Sequence, residues 1–397
     1  MIAQLAYRML KEPAPRLLAK CAWNLGWKGM RAMSAFESRL KRGEFFPAFV
    51  FLSVTSRCNL QCQGCWISVN KPGRTLDVAT LDRVIVECKR QGSSFFGLLG
   101  GEPLMHPGLF ELLERHRDCY FQLFTNGTLL TDEVAGKLRQ LGNVTPLISI
   151  EGSETVSDER RGGKAVYRRS MEGLEACRRH RLITGVATSV CRSNFADLAS
   201  EKFVHELIGR GVHYVWYYIY RPVGVNPTPE LVLSEEQVLQ LRQFMVDIRC
   251  REPIVVVDAY WDHEGRALCP AVTGISHHIG PGGDIEPCPV IQFSRENVGD
   301  GSDLVNKLAH SEFLAKFRTF AAQTTRGCII MDHPAQLKQF LVEQQAADTT
   351  GRGSGLAELA AMQPQTCHHV AGREIPEKHW MYRFAKKRYF FGFGAYG

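Results

Sequence analysis

The sequence predicts an α/β fold built from parallel strand–helix units. Between residues 46 and 225, six short runs rich in β-branched and aromatic residues alternate with stretches whose apolar residues recur at helical spacing. This alternation is typical of a parallel sheet covered by helices, because parallel neighbours need a crossover connection. Ligands of such a fold bind at the carboxyl ends of the strands. The six runs are FVFLSV, FFGLLG, YFQLFT, PLISIE, TGVATSV and YVWYYIY.

Two of the intervening stretches show the helical spacing most clearly. In each, the apolar residues fall three or four positions apart, so they share one face of a helix. They are Val78-Leu81-Val84-Ile85-Cys88 and Val166-Met171-Leu174-Cys177.

Composition favours a water-soluble globular protein. Of the 397 residues, 45% are hydrophobic and 22% are charged. A membrane-spanning helix needs a run of about 18 apolar residues, and the longest candidate, Phe45 to Val54, is interrupted by Pro47 and Ser53. The first residues include Arg8 and Lys11 and lack the pattern of an export signal. We therefore expect a cytoplasmic location.

Four segments differ in composition. Residues 1–45 are predicted to form basic amphipathic helices, since residues 1–44 hold nine Lys or Arg against three Glu. Residues 46–225 form the strand–helix core, and residues 226–345 hold spaced cysteines among Gly and Pro turns. Residues 346–397 comprise a polar, Gly-rich linker and a basic, aromatic tail.

Three cysteines directly follow the first predicted strand, in the segment SRCNLQCQGCW. In a reduced compartment, clustered cysteines indicate a metal or cluster site rather than disulfides. Cys58, Cys62 and Cys65 can supply three thiolates to an iron–sulfur cluster and leave one iron open to a ligand. Zinc is the alternative, but a structural zinc site needs a fourth ligand, usually from a second cysteine pair. The single cysteines Cys88, Cys119, Cys177, Cys191 and Cys250 are expected to be packing residues.

This cysteine loop resembles the signature of the radical S-adenosylmethionine (radical SAM) superfamily. Three further motifs occur in the family's order at later strand ends: GGEPLMHP, TNGTLL and SIEGSETVSDERRG. The resemblance covers residues 47–225. It implies a partial (β/α)6 TIM-like barrel in which a [4Fe–4S] cluster binds S-adenosylmethionine and cleaves it to a 5′-deoxyadenosyl radical.

The resemblance also implies roles for residues around S-adenosylmethionine. The methionine amino group would meet the backbone and carboxylate of the GGE element, and the ribose and carboxylate would meet polar residues at the fourth and fifth strand ends. Two positions depart from the family pattern, because Glu151 replaces an Asp and Gly64 replaces an aromatic residue, with Trp66 following. The implied cofactor-binding residues are Gly64, Gly100, Gly101, Glu102, Thr125, Asn126, Ser149, Glu151 and Ser189.

A second cysteine set resembles the auxiliary-cluster domain called SPASM in its full form and Twitch in its shorter form. Cys269, Gly283 and Cys288 give the spacing C-x13-G-x4-C, and Cys328 offers a third ligand. Gly283 is predicted to allow a hairpin turn that brings both sulfurs to one side. The crowded cysteine run of the full form is absent, which favours one auxiliary cluster in a small C-terminal domain. The alternative is three isolated structural cysteines. Candidates for the fourth ligand are Cys367, Asp332, His333 or the substrate.

Both ends of the chain combine basic and aromatic residues. Arg16, Lys20, Asn24, Lys28 and Arg31 share one helix face, with Trp23 and Leu25 towards the other. This arrangement is typical of a helix lying on a membrane surface, and the tail from Glu377 has a similar composition. We therefore predict peripheral association with the inner face of the membrane. Packing against the protein itself is the first alternative, and nucleic-acid binding is the least favoured.

The expected activity is hydrogen abstraction from an unactivated C–H carbon by a 5′-deoxyadenosyl radical. Such an enzyme needs an external electron donor of the flavodoxin or ferredoxin type. The basic ends favour a lipid or other apolar substrate; a ribosomally made peptide is the second hypothesis. A non-catalytic iron–sulfur or zinc scaffold is the alternative from another class. No catalytic residue is assigned; Asp258, Asp262, His263 and Tyr220 are titratable candidates.

Overall fold

A nine-stranded, mostly parallel sheet organises the chain. The computed structural model describes residues 1–67, 69, 73–301 and 303–390. The core strands are β1 (Phe49–Thr55), β2 (Phe95–Gly100), β3 (Tyr120–Thr125), β4 (Val144–Ser149), β5 (Gly185–Val190) and β6 (Tyr214–Ile219). Each core strand pairs in parallel with the next along the chain. The predicted α/β fold with a partial barrel of six parallel strands is confirmed.

Helices connect the core strands and cover the outside of the sheet. In α4 (Val78–Arg90), the residues predicted from helical spacing, including Leu81, Val84 and Ile85, are fully buried. The Asp77 carboxylate caps the first turn by accepting from the Thr80 N–H at 2.7 Å. The cysteines expected to pack, Cys88, Cys119, Cys177 and Cys191, are buried, and Cys250 is half-buried. The helices are α4 (Val78–Arg90), α5 (Leu109–Arg115), α6 (Asp132–Leu141), α7 (Glu154–Arg161), α8 (Val166–Arg179), α9 (Phe195–Leu198) and α10 (Glu201–Gly209), with a 3₁₀ turn at Pro103–Met105.

Residues beyond 225 extend the same sheet. Strand β7 (Val255–Val257) pairs in parallel with β6, and β8 (Ser276–Ile279) pairs in parallel with β1. Strand β9 (Ile285–Glu286) is antiparallel to β8, so the sheet order is β7-β6-β5-β4-β3-β2-β1-β8-β9. Because β8 pairs with β1, the first core strand is not an unpaired edge strand of the sheet. The predicted domain boundaries at 45, 225 and 345 stay predictions, and the sheet runs across the second of them.

The rest of the C-terminal half is mainly helical. A small antiparallel pair, β10 (Phe293–Ser294) with β11 (Ala347–Asp348), lies outside the main sheet. The helices are α11 (Glu235–Arg251), α12 (Pro270–Thr273), α13 (Leu304–His310), α14 (Glu312–Thr324), α15 (Ile329–Asp332), α16 (Pro334–Glu343), α17 (Gly355–Ala361) and α18 (Trp380–Ala385), with 3₁₀ turns at Pro229–Leu231 and Val298–Asp300.

Three N-terminal helices lie against the amino ends of the strands. They are α1 (Ile2–Lys11), α2 (Pro15–Lys20) and α3 (Lys28–Lys41), with a π-helical segment, Cys21–Trp27, between the last two. Their polar face binds backbone carbonyls of the same chain. Lys20 Nζ donates to the Leu141 carbonyl at the end of α6 at 2.8 Å, and Arg16 donates to the neighbouring Gln140 carbonyl. Asn24 and Lys28 donate to carbonyls between α5 and β3.

These bonds correct one expectation about the N-terminal helices. Four of the five polar residues predicted to face a membrane instead donate to the protein's own carbonyls. The physical reason is that helix C-termini present unpaired carbonyls and partial negative charge, which Lys and Arg side chains neutralise. Within the described residues, no helix is long and apolar enough to cross a membrane.

The C-terminal segment is fixed by buried ion pairs. Lys386, in the π-helical turn Lys386–Phe390 that follows α18, lies 2.9 Å from an Asp258 carboxylate oxygen just after β7. Glu377 pairs with Arg242 at 2.7 Å and with Arg249 at 2.5 Å, both on α11. Such charges are stable in the interior because each has a partner. The last part of the predicted aromatic tail, residues 391–397, lies outside the described residues.

We expect Arg8→Ala to destabilise the fold. The Arg8 guanidinium is buried and donates to the Pro253 carbonyl at 2.7 Å and the Val212 carbonyl at 2.9 Å. Loss of these charged hydrogen bonds should lower the free energy of unfolding by about 2–4 kcal/mol, measured by urea denaturation. Lys11→Ala, on the exposed side of the same helix, is the control. An Arg8→Ala protein as stable as Lys11→Ala would contradict this role.

Candidate active site

A cavity of about 400 Å³ opens at the carboxyl ends of the core strands. The predicted residues of five strand ends contribute to its wall, together with aromatic side chains on the inner face of the sheet. Parallel strands end on the same edge, so residues far apart in sequence meet here. The predicted metal ligands and cofactor-binding residues that line it are Cys58, Cys62, Gly64, Cys65, Gly100, Gly101, Thr125, Asn126, Ser149, Glu151, Ser189, Cys269, Cys288 and Cys328.

The first cysteine set lies on one wall of this cavity. Cys58, Cys62 and Cys65 are half-buried and form no disulfide. Burial raises the pKa of the Cys58 thiol to about 11 and that of the Cys65 thiol to about 12. These thiols are therefore neutral at physiological pH until a metal displaces their protons.

Two glycines allow other segments to pack directly on the cysteine loop. Gly162, at the end of α7, has φ +66°, and a Cβ there would lie 2.2 Å from the Gln61 carbonyl oxygen. Gly224, in the loop after β6, has φ +92°, and a Cβ there would lie 1.9 Å from the Cys65 carbonyl oxygen. Only glycine permits both the backbone conformation and the close approach. The cysteine loop is therefore held between the α7 end and the loop after β6.

Gly64 is required by the ring of Tyr220. It has φ +66°, and a Cβ at this position would lie 2.3 Å from Tyr220 Cε2. The Tyr220 ring also contacts the Arg160 guanidinium, which lies 4.9 Å from its centroid. The aromatic group that the family pattern places in the cysteine loop is thus absent from the loop, while a ring from the end of β6 lies directly against it. Trp66, the other aromatic candidate, also lines the cavity.

The donor set fits an iron–sulfur cluster better than a single zinc ion. Two thiolates on one zinc ion, each at about 2.3 Å, lie within about 4.6 Å of each other. Among the described residues, the one trio of metal-ligating groups with all its atoms within 4.8 Å of one another is His116, Asp118 and Cys119, away from this loop. A cubane separates its ligands more widely than one ion does, and thiolates are its usual ligands.

The GGE element packs on the chain between β1 and the first cysteine. Gly101 N donates to the Thr55 carbonyl at 2.7 Å, and Glu102 N donates to the Arg57 carbonyl at 2.8 Å. Gly100 has φ +145°, and a Cβ there would lie 2.3 Å from the Thr55 carbonyl oxygen. The two glycines therefore bring the end of β2 against the start of the cysteine loop.

Glu102 lies behind the cavity wall rather than in it. Its carboxylate is fully buried and accepts from Thr125 Oγ1 at 2.8 Å, Asn126 N at 2.8 Å and Leu104 N at 3.1 Å. Burial raises its pKa to about 7. Asn126 in turn donates to Asn59 Oδ1 at 2.8 Å, beside Cys58. Glu102 thus fixes the TNG segment against the cysteine loop, and its direct contact with a methionine amino group stays a prediction.

Arg161 was not predicted from the sequence, yet it connects the two sides of the site. Its guanidinium forms an ion pair with Glu151 and lies 3.8 Å from Cys62 Sγ. Glu151 also accepts from Ser189 N at 2.8 Å. The ion pair raises the pKa of Arg161, so the guanidinium stays charged. The signal in the sequence was the pair of arginines ending the SIEGSETVSDERRG motif, which brings a buried cation to the cysteine loop.

The second cysteine set faces the same cavity. Cys269, Cys288 and Cys328 all line it, and Gly283, with φ +88°, forms the turn between β8 and β9 as predicted. Burial raises the pKa of the Cys269 thiol to about 12 and that of Cys288 to about 11.

Of the candidates for a fourth ligand, Cys367 contacts the set through its sulfur. Its sulfur accepts from the Cys328 N–H at 3.4 Å, and it is buried outside the cavity lining. The Asp332 carboxylate accepts from Thr325 Oγ1 at 2.7 Å and also interacts with the Cys367 thiol, and His333 precedes α16.

Comparisons with known proteins find relatives with the same type of core. The profile of the Radical SAM superfamily matches residues 52–196. An AdoMet-dependent heme synthase of Methanosarcina barkeri is 28% identical over 183 residues, 45% of this chain and 52% of the synthase. The mycofactocin maturase MftC of Mycolicibacterium smegmatis is 25% identical over 320 residues, 74% of this chain and 78% of the maturase.

Among solved structures, Streptococcus suis SuiB bound to its precursor peptide SuiA aligns with a TM-score of 0.59. At 16% identity, over 73% of this chain and 71% of SuiB, the likeness shows the fold alone. In sequence, this chain aligns with about half or less of the length of the first curated relatives.

We expect Gly64→Ala to weaken iron binding. The added methyl group meets the Tyr220 ring, and the left-handed backbone costs a further ~1 kcal/mol for a non-glycine residue. Iron bound after anaerobic reconstitution should fall, and Tyr220→Ala in the same chain should restore part of it. Gly29→Ala, which has open space and no left-handed conformation, is the matched control. Wild-type iron content in Gly64→Ala would show that the loop tolerates the clash.

Proposed function

We propose that this chain, a radical SAM superfamily enzyme by its residues 52–196, abstracts hydrogen from an unactivated C–H carbon of an apolar substrate. When bound at Cys58, Cys62 and Cys65, a [4Fe–4S] cluster supplies the electron that cleaves S-adenosylmethionine to a 5′-deoxyadenosyl radical. The observation that carries the proposal is one cavity lined by both cysteine sets and by the polar ends of the core strands. The electron donor would be an external protein of the flavodoxin or ferredoxin type.

The chain's own residues prepare the site for this chemistry. Glu102 holds the cavity wall in place from behind, because its carboxylate fixes Thr125 and the backbone of Asn126. Arg161 keeps a positive charge beside Cys62 and orients Glu151. A buried cation next to thiolates offsets part of the charge that a cluster brings into the interior. The residues proposed to contact the ribose and carboxylate, Ser149, Glu151 and Ser189, line the same cavity, and Glu151 is itself the partner of Arg161.

The inner part of the cavity favours an apolar substrate. Its wall carries a line of aromatic rings, with Phe124 5.9 Å from Trp216 and Trp216 stacked on Tyr218 at 5.0 Å between centroids. Phe51 continues the line at 6.0 Å from Phe124. Apolar walls with few polar groups are typical of pockets that hold a hydrophobic ligand. They also exclude water from a radical intermediate.

A ribosomally made peptide is the second candidate substrate. Two comparisons favour it: MftC is a maturase that aligns over most of its length, and the SuiB structure contains a precursor peptide. A peptide would enter with an apolar side chain in the aromatic part of the cavity and its backbone at the mouth. Both candidates share the hydrogen-abstraction step and differ in what fills the cavity.

Exposed aromatic residues at both ends of the chain support docking on a lipid surface. Trp23 is 59% exposed and Trp27 49%, while Trp380 is 64% exposed and Phe384 56%. The π-helical turn after α18 contacts α3, so the two ends are neighbours. Tryptophan is favoured at the water–lipid boundary. We call these four residues the aromatic patch and propose that it brings the enzyme to an apolar substrate at a membrane surface.

The enzymatic proposal is tested by S-adenosylmethionine cleavage. Reconstituted protein with dithionite should form 5′-deoxyadenosine, and Cys58→Ala should abolish this product because one cluster ligand is lost. Cys269→Ala should keep the product while losing iron, since this residue belongs to the second set. Absence of 5′-deoxyadenosine from iron-replete wild-type protein would instead support a non-catalytic scaffold.

Binding to vesicles tests the aromatic patch. The double variant Trp23→Gln/Trp27→Gln should reduce co-sedimentation with phosphatidylglycerol–phosphatidylethanolamine vesicles by about tenfold or more. The reason is that two indole rings inserted into the membrane together contribute several kcal/mol of transfer free energy. Point variants are preferable to deleting residues 1–44, because that deletion also removes the carbonyl contacts of Arg8 and Lys20. Equal binding by the variant and the wild type, or no binding by either, would contradict docking through the aromatic patch. The cavity lining would then be the remaining support for an apolar substrate.

A further inference from the structure

One short segment, Tyr220–Gly224, contacts both cysteine sets. Its first residue, Tyr220, packs on Gly64, and its last, Gly224, packs on the Cys65 carbonyl. Between them, Arg221 turns in the other direction, and its Nε lies 3.0 Å from Cys328 Sγ. The core barrel therefore supplies a cation to a sulfur that belongs, by sequence, to the second set.

Arg221 is held in this position by its surroundings. Its Nη1 donates to the Ile219 carbonyl at 3.0 Å and to Tyr260 Oη at 3.2 Å. The guanidinium also lies over the Tyr260 ring, 5.1 Å from its centroid. Contacts with backbone, hydroxyl and ring leave the guanidinium little freedom to turn away from the sulfur. The geometry of the Nε–Sγ contact is thus fixed by the fold.

We propose that Arg221 sets the reduction potential of the auxiliary cluster through its contact with Cys328. This inference rests on the proposed auxiliary site. Hydrogen bonds to ligand sulfurs and local charge are among the factors that determine the potential of an iron–sulfur cluster. A cation that donates to a ligand sulfur stabilises the more negative, reduced state, so it raises the potential. Arg221 is a positioning residue in this role and needs no contact with the substrate.

The contrast with the first set supports this assignment. Arg161 lies 3.8 Å from Cys62 Sγ and shares its charge with Glu151. Arg221 lies closer to its sulfur, and its hydrogen bonds to the Ile219 carbonyl and the Tyr260 hydroxyl are to neutral groups. The full charge of Arg221 therefore acts on the second set, whereas that of Arg161 is partly neutralised. This difference favours a higher potential at the second set than at the first.

The test is a redox titration of reconstituted protein followed by electron paramagnetic resonance. In a Cys58→Ala background, which removes the first cluster's signal, Arg221→Met should lower the auxiliary midpoint potential. The expected change is about tenfold in the reduction equilibrium, or about 59 mV for one electron. Arg221→Lys should lower the midpoint potential less than Arg221→Met does, because lysine keeps the positive charge. Tyr260→Phe, which removes a structural partner of Arg221 but leaves the Nε–Sγ contact, should shift the potential less than Arg221→Met.

The outcomes separate this inference from the proposal on which it rests. If Cys58→Ala protein holds no reducible cluster, the auxiliary site and the role of Arg221 are both overturned. If the cluster is present but Arg221→Met and Tyr260→Phe titrate alike, the role of Arg221 alone is overturned. If Arg221→Met loses its iron, Arg221→Lys becomes the deciding variant: a midpoint potential below the wild-type value supports the role of Arg221, because the Nε–Sγ contact is lost, and a wild-type potential overturns it.

Discussion

The position of β1 in the sheet is the constraint on which the site depends. This strand pairs in parallel with β2 on one side and with β8 on the other. Its carboxyl end therefore emerges between two other strands at the edge where the parallel strands terminate. The cysteine loop follows within three residues of that end. Neighbouring strand ends can then reach it with glycines, a carboxylate and arginines, and no long loop is needed to carry the cysteines to their partners.

Buried polar contacts complete the site around this loop. Glu102 and Glu151 are both almost fully buried, but their surroundings differ. Glu102 is satisfied by neutral donors, and burial raises its pKa. Glu151 is paired with Arg161, which holds a positive charge next to Cys62. Glu102 therefore holds backbone groups in place, whereas Glu151 positions a cation. Both glutamates follow a core strand in sequence, but their roles in the site differ.

The same use of buried charge connects the ends of the chain to the barrel. Arg8 and Lys20 bind carbonyls at the ends of helices on the amino side of the sheet. Lys386 lies among Asp258 and the arginines of α11 on the other terminal segment. Basic residues that suggested an external anionic surface are thus used internally. The proposal of docking on a membrane surface therefore rests on the aromatic patch, whose side chains are exposed.

The sequence by itself determined the six core strands, the order of the motifs and the spacing of the first three cysteines. It could do so because strand–helix alternation and ligand spacing are local properties that short-range sterics and chemistry impose. It also placed Gly283 in a turn, since a left-handed conformation there requires glycine. Local pattern was less informative wherever a residue's partner lies far along the chain.

Tertiary structure decided the remaining features for that reason. The pairing of β8 with β1, the Tyr220 ring against Gly64, and the Arg221 contact with Cys328 all join segments separated by many residues. The role of the basic N-terminal face was decided in the same way, because an amphipathic pattern specifies which side of a helix is polar but not what that side meets. Only the folded sheet shows that it meets the carbonyl ends of neighbouring helices.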